Sequence, residues 1–274
     1  MRFIAPARIE LNASIFQHPV FHYLSEVHLQ LCQSQQWPEV HSLNDLWPPP
    51  ENATNSAYHF VAQETLNDDL HYELRIAKHG DIATRSENWH DLFNAFIWLR
   101  FPNIKAALNA RQCQDIARVG LKQRTRSQCA LTHFDEAGAV IRLSDSALLK
   151  HWDAHDWPAF FAAWQPAYED GTAQLWLFGH SIFEHTLNPD IALVAKALVF
   201  IHQEPISDAS MDVFLADHIS TQQCLMDPQE LRPIPLSGIA HWHALYGQAD
   251  FYQQVPCFRP KRPGKLYPEP LHLQ

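Results

Sequence analysis

A chain of 274 residues that is 46% hydrophobic can bury a large core without help from disulfides or a structural metal. Its net charge of −10 argues against bulk, nonspecific nucleic-acid binding. The five cysteines, odd in number and never arranged as CxxC, suggest neither a disulfide framework nor a cysteine zinc site.

The N-terminal stretch MRFIAPARIEL has no apolar run that would serve a signal peptide. Pro19 followed by Phe21, Leu24, Val27 and Leu31 predicts a helix over 18–35. An extended connection follows, through Pro38 and the triplet Pro48, Pro49, Pro50. AYHFVAQ (57–63) and LHYELRIA (70–77) alternate as strands and are expected to pair as a hairpin. Thr84 and Glu87 resemble a capping box ahead of an aromatic helix over 88–101, and Pro102 opens a second helix that Gly120 closes. A turn over 135–138 leads into a strand over 139–143, and helices are expected over 145–152 and 158–164. TAQLWLFG reads as a buried strand ending at Gly179, with HSIFEHTL as a short helix after it. ALVAKALVFI fits a strand or a buried helix; at this length it falls well short of the ~20 residues of a membrane span. The tail beyond Pro233 is Pro-rich and aromatic and is expected to wrap the body irregularly. The fold class is therefore α+β: a single domain over 1–274, with a central sheet packed by helices, in a cytoplasmic protein without a membrane partner.

Two polar clusters carry the chemistry. In ENWHDLFN a helix would present Glu87, His90, Asp91 and Asn94 near one another, with Trp89, Leu92, Phe93, Phe96 and Ile97 anchoring the opposite side. An imidazole among carboxylates suits a divalent metal or a general base. In FGHSIFEH, His180 and Glu184 stand four apart on the short helix, a spacing that suits two ligands or a bonded pair. A third feature is basic: seven cations against Asp115 between Arg100 and Arg126, with Arg111, Arg118 and Lys122 at helical spacing. Arg259, Lys261, Arg262 and Lys265 form a later group, read as a solvated tail or a clamp onto the body. P-loop, GxGxxG, GxSxG and HExxH signatures are all absent.

Through ENWHDLFNAFIWLRFPNIKAALN, LTHFDEAGAV, LWLFGHSIFE and FRPKR, the sequence resembles a proteobacterial family catalogued as a domain of unknown function and numbered three thousand and twenty-five. The resemblance implies a bacterial protein and a single unit, and it carries no catalytic residue over.

The leading expectation from the residues is a metal-assisted hydrolase acting on an anionic, phosphate-containing substrate. His90, Asp91, His180 and Glu184 would lie near the metal, Glu87, His90 and Asn94 would orient or activate water, and Arg124 and Arg126 would hold substrate charge. One alternative is a noncatalytic binding or adaptor protein in which the same clusters form a buried network. Another is a nucleic-acid-binding protein using the basic run over 100–126.

Overall fold

The computed structural model describes residues 3–47, 57–188 and 191–273. The Pro48–Pro50 triplet and the first two residues of the N-terminal stretch lie outside the described residues.

The N-terminal helix expected over 18–35 is broken. Short 3-10 turns occupy Ala13–Gln17 and Pro19–Tyr23, and α1 (Glu26–Gln33) begins only where the Ser25 hydroxyl accepts from the His28 amide at 3.3 Å. Strand β1 (His59–Ala62) follows the expected pattern, but LHYELRIA is not a strand. It forms α2 (Tyr72–His79), begun by the His71 ring accepting from the Glu73 amide and closed by Gly80 at φ 74°. Tyr72 and Ile76 satisfy a helical i, i+4 spacing as well as alternation, so the pattern did not discriminate. With a helix between them, β1 and β2 (Asp81–Thr84) run parallel, and the expected hairpin is replaced by a two-stranded parallel pair.

Thr84 ends β2 and is not a cap; Asn88 caps α3 (Trp89–Arg100), its side chain accepting from the Asp91 amide at 3.0 Å. The expected apolar stripe of α3 is buried, and Pro102 opens α4 (Pro102–Val119). The start of α4 is capped from a distance by Asp212, which accepts from the amides of Asn103 and Ile104 at 3.1 and 2.9 Å. Next comes a helix the sequence reading lacked, α5 (Arg126–Ala137), fixed by a reciprocal capping box between Thr125 and Gln128. The expected turn over 135–138 is its last turn.

Strand β3 (Gly138–Leu143) is buried along its whole length, α6 (Leu149–Ala154) and α7 (Trp157–Glu169) lead to β4 (Ala173–Leu177), and α8 (His180–Thr186) follows. The ambiguous apolar stretch is β5 (Val194–Ile201). It is followed by α9 (Asp208–Ser220), β6 (Arg232–Pro235), α10 (Phe251–Gln254) and β7 (Leu271–His272). The tail is thus tied down by short regular pieces.

The main sheet is mixed: β4, β3, β5 and β6 in that order, with β7 added to β5. β3 runs parallel to β5 and antiparallel to β4. Helices cover it, which is why β3 and β5 read as nearly continuous apolar runs. One hydrophobic core joins this sheet to the β1–β2 pair and to α3, giving a single α+β domain. None of the described helices is long and apolar enough to cross a membrane.

Candidate metal centre in a polar cavity

Gly179 sets the geometry of the site. Phe178 and Gly179 both donate their amides to the Gly138 carbonyl, at 3.0 and 2.8 Å, so the corner between β4 and α8 lies directly on the α5–β3 junction. A Cβ on Gly179 would stand 2.4 Å from the Ala137 Cα and from the Gly138 nitrogen, so no larger residue fits without displacing backbone. This contact sets His180, the first residue of α8, beside the end of α5, which carries Asp135 and Glu136. Helix α3 packs across α8 and brings His90 to the same point.

The two sequence clusters therefore meet. His90 Nε2 and His180 Nε2 are 3.0 Å apart, with their rings nearly perpendicular at 81°. Glu136 closes the group, 3.5 Å from His180 Nε2 and 3.9 Å from His90 Nε2. Two nitrogen or oxygen ligands at ~2.0–2.1 Å from one tetrahedral ion stand about 3.4 Å apart, so these separations bracket what a single ion requires. On the far side of the His90 ring, Nδ1 meets Glu184 at 2.8 Å. A proton on Nδ1 donated to that carboxylate leaves the Nε2 lone pair facing His180 and Glu136, as in a carboxylate-braced metal histidine. Ser181 donates its hydroxyl to Glu136 and orients the third ligand.

The two imidazoles sit in different fields. Burial opposes the charged form of His90, but the Glu184 hydrogen bond and the charges of Glu136, Glu184 and Asp91 outweigh it and raise its pKa. His180 is 3% exposed, and burial, with the Lys105 charge adding to it against the fields of Asp135 and Glu136, holds it down at about 4. Its Nδ1 is buried without a hydrogen-bond partner among the described residues, so an imidazolium there would bury an unpaired donor. A neutral ring is the form that ligates a metal.

The cluster lies on the wall of a cavity of about 390 Å³. Lys105 projects into it, bonding Asp135 at 2.6 Å and Asn94 Oδ1 at 2.8 Å, while the Asn94 amide donates to the Tyr72 hydroxyl at 3.1 Å. Burial pushes the Asp135 carboxyl up, but Lys105 and the two histidines overcome it, so Asp135 is held as a carboxylate. Deeper in the cavity, burial raises the Glu73 carboxyl against the hydrogen bond from Asn109. His90 and Glu136 also border a second, more open cavity of about 870 Å³ beside Glu87 and residues 3–7.

The remaining candidates separate. Glu184 braces His90 from behind. Asp91 accepts two side-chain bonds from Arg85, at 2.9 and 2.7 Å, and faces the cavity as an ion pair. Asn94 lies on the wall beside Lys105, whereas Glu87, at φ 51°, faces only the second cavity. Arg124 lines the first cavity and its charge acts on Glu73; Arg126 lies outside that lining and pairs with Asp227. Glu136 and Asp135 were missed because residues 135–138 read as a turn. The capping signature T-R-S-Q at 125–128 is the signal that would have placed them on a helix.

A family model described as a protein of unknown function, DUF3025, matches residues 58–262. The chain belongs to the DUF3025 family. The matched span contains His90, Glu136, His180 and Glu184, so the whole cluster lies within the part shared with the DUF3025 family. No curated protein and no solved structure matches the chain.

Proposed function

We propose that the chain is a metal-assisted hydrolase of small anionic substrates, with His90, His180 and Glu136 as the ligands of one divalent ion. The observation that carries this reading is the convergence of three donors from three helices, all within 4.8 Å of one another, on the wall of a polar cavity. Two histidines and one glutamate are a familiar ligand set for hydrolytic zinc, leaving a position open to water or substrate. The ion would supply Lewis acidity and lower the pKa of bound water.

The protein's own groups suit the remaining tasks. Glu184 holds His90 in the tautomer that ligates. Asp135, kept ionised by Lys105, is an acceptor on the same wall. Lys105 is already bonded to Asp135, so Arg124, which forms no ion pair among the described residues, is the cation on this wall for a phosphate or carboxylate group. The cavity also weighs against the purely structural reading, which requires the two histidines to be enclosed with no open space beside them.

The test is elemental analysis of tagless protein purified without a metal column, followed by a screen of phosphoester and carboxylic-ester substrates. Near-stoichiometric metal in the wild type, lost in both His180→Ala and Glu136→Ala, is expected, with hydrolysis that depends on that metal. A folded, metal-free wild type that takes up no zinc, manganese or iron on titration would overturn the reading.

A further inference from the structure

A second cleft, of about 670 Å³, lies between the C-terminal loop and the edge of the main sheet, and it shares no lining residue with the histidine cavity. Its walls carry Lys196, Arg259, Arg262 and Lys265 and, among the described residues, not one aspartate or glutamate. In a chain of net charge −10 this is a local reversal of sign. We infer that this cleft binds a small molecule carrying several anionic oxygens, as phosphate or carboxylate groups.

Lys196 is the unusual member. It interrupts the apolar run of β5, on the same side of the strand as Val194, and sits opposite Pro233 of β6. It is partly buried, yet it makes no ion pair among the described residues. Burial, reinforced by Arg262 and Arg259, lowers its pKa, so its nearest charged influences are cations. A half-buried strand position that carries an unneutralised lysine costs stability that an anion in the cleft would restore.

The loop opposite is held in place by bonds that leave the Arg259 and Arg262 side chains free, while the Lys265 ammonium already donates to the Gln229 carbonyl and lies over the Tyr267 ring. Trp157 Nε1 donates to the Arg259 carbonyl at 2.9 Å, and His155 bonds the Tyr267 hydroxyl at 2.8 Å. Arg232 bonds the Pro268 carbonyl at 2.7 Å while pairing with Asp153, so both Asp153 and Asp227, which pairs with Arg126, are already engaged. The Arg259 and Arg262 side chains are exposed and form no ion pair among the described residues. Two guanidinium forks and two ammonium groups around one volume of small-ligand size fit several anionic oxygens better than a single one.

The experiment is calorimetric titration of the full chain at 150 mM salt with tripolyphosphate and, separately, with citrate. Saturable binding of either probe is expected, weakened at least tenfold in Lys196→Ala and in Arg262→Ala. Preference for one probe identifies the chemistry. The Arg262 side chain is exposed and bonds nothing among the described residues, so its variant stays folded even if Lys196→Ala does not. Absence of saturable binding to both probes, or full retention of affinity in Arg262→Ala, would overturn the inference. So would a short DNA strand that displaces the probes at lower concentration, which would make the surface one for nucleic acid.

Discussion

The two basic groups of this chain look alike in sequence and differ in the fold. Between Arg100 and Arg126 most of the positive charge is spent internally. Arg100 pairs with Asp208 at 2.8 Å, Lys105 with Asp135 at 2.6 Å, Arg118 with Asp115 at 2.6 Å, and Arg126 with Asp227. Arg111 is buried and donates to the Ile219 carbonyl at 2.8 Å. The later group, Arg259 to Lys265 with Lys196 opposite, meets almost no acid. Available charge is therefore decided by acids that arrive from elsewhere in the chain, and the longer run, with more cations, is the poorer anion surface. The nucleic-acid reading of residues 100–126 loses its basis in this way, since only Lys122 and Arg124 of that run lie outside these bonds.

The sharpest way to break the comparison is to unpair the first run. Lys105→Met leaves Asp135 ionised beside the cavity with its main partner gone. Removing one member of a buried pair typically costs 3–5 kcal/mol; because Asp135 keeps some contact with the cavity, a loss of about 3 kcal/mol in urea unfolding is expected. The double variant Lys105→Met/Asp135→Asn should recover part of it. Arg262→Ala, in the later group, should fall within about 0.5 kcal/mol of wild type, as exposed substitutions do.

The next effect concerns the candidate metal cluster, whose one braced and one unbraced histidine echo the same contrast. Glu184→Gln keeps a hydrogen-bond acceptor near His90 Nδ1 but removes its charge. On the proposed reading, metal affinity should fall about 10–100-fold with little change in melting temperature. His90→Ala should also cost roughly 1–3 kcal/mol by stranding its partners. An unchanged melt in His90→Ala would show that the His90–Glu184–His180 network contributes no stability.

The elements around this site were legible to unequal degrees. Helices α3 and α4 were readable because a long apolar stripe, a proline at the junction and a terminal glycine all agree. β4 and α8 were readable from an apolar run ending at Gly179. Helix α2 was not, because eight residues satisfy both periods and only the cap at His71 and the left-handed Gly80 decide. Helix α9 was missed because Asp212 sits buried on its inner face, where it caps α4. His90, His180 and Glu184 were visible as chemically apt residues, but their meeting depends on Gly179 fitting against Gly138, a contact between backbones that no spacing encodes.

A smaller effect follows from Arg100, whose charge acts on His28. That imidazole is buried against Phe96, stacked at 4.2 Å, and burial, with Arg100 adding to it, holds its pKa at about 4 against an ordinary 6.5. The unfolded chain thus binds a proton that the folded chain refuses between those values. Stability is complete above pH 6.5 and declines as pH falls toward 4. His28→Gln should flatten the melting temperature between pH 7 and pH 5 relative to wild type.

The smallest expected effect separates two neighbouring arginines. Arg126 is exposed and bonded to Asp227, whose carboxyl that bond, together with the Gln229 amide, pulls down to about 2. Because the aspartate's folded pKa lies below its unfolded value, its contribution is present above about pH 4 and is lost only as pH falls toward 2. Arg126→Ala should therefore remove that contribution at neutral pH, a small loss because the pair is exposed and screened. It should also raise the Asp227 pKa in an NMR titration, an effect that high salt weakens, while melting near pH 2 should not move. Substrate affinity should not respond, since Arg126 does not reach the cavity. Arg124→Ala, on the cavity wall, should raise KM for an anionic substrate while leaving stability intact. If Arg126→Ala instead raises KM as much as Arg124→Ala does, the Asp227 pair opens during turnover and the first basic run is less fully neutralised than its bonds imply.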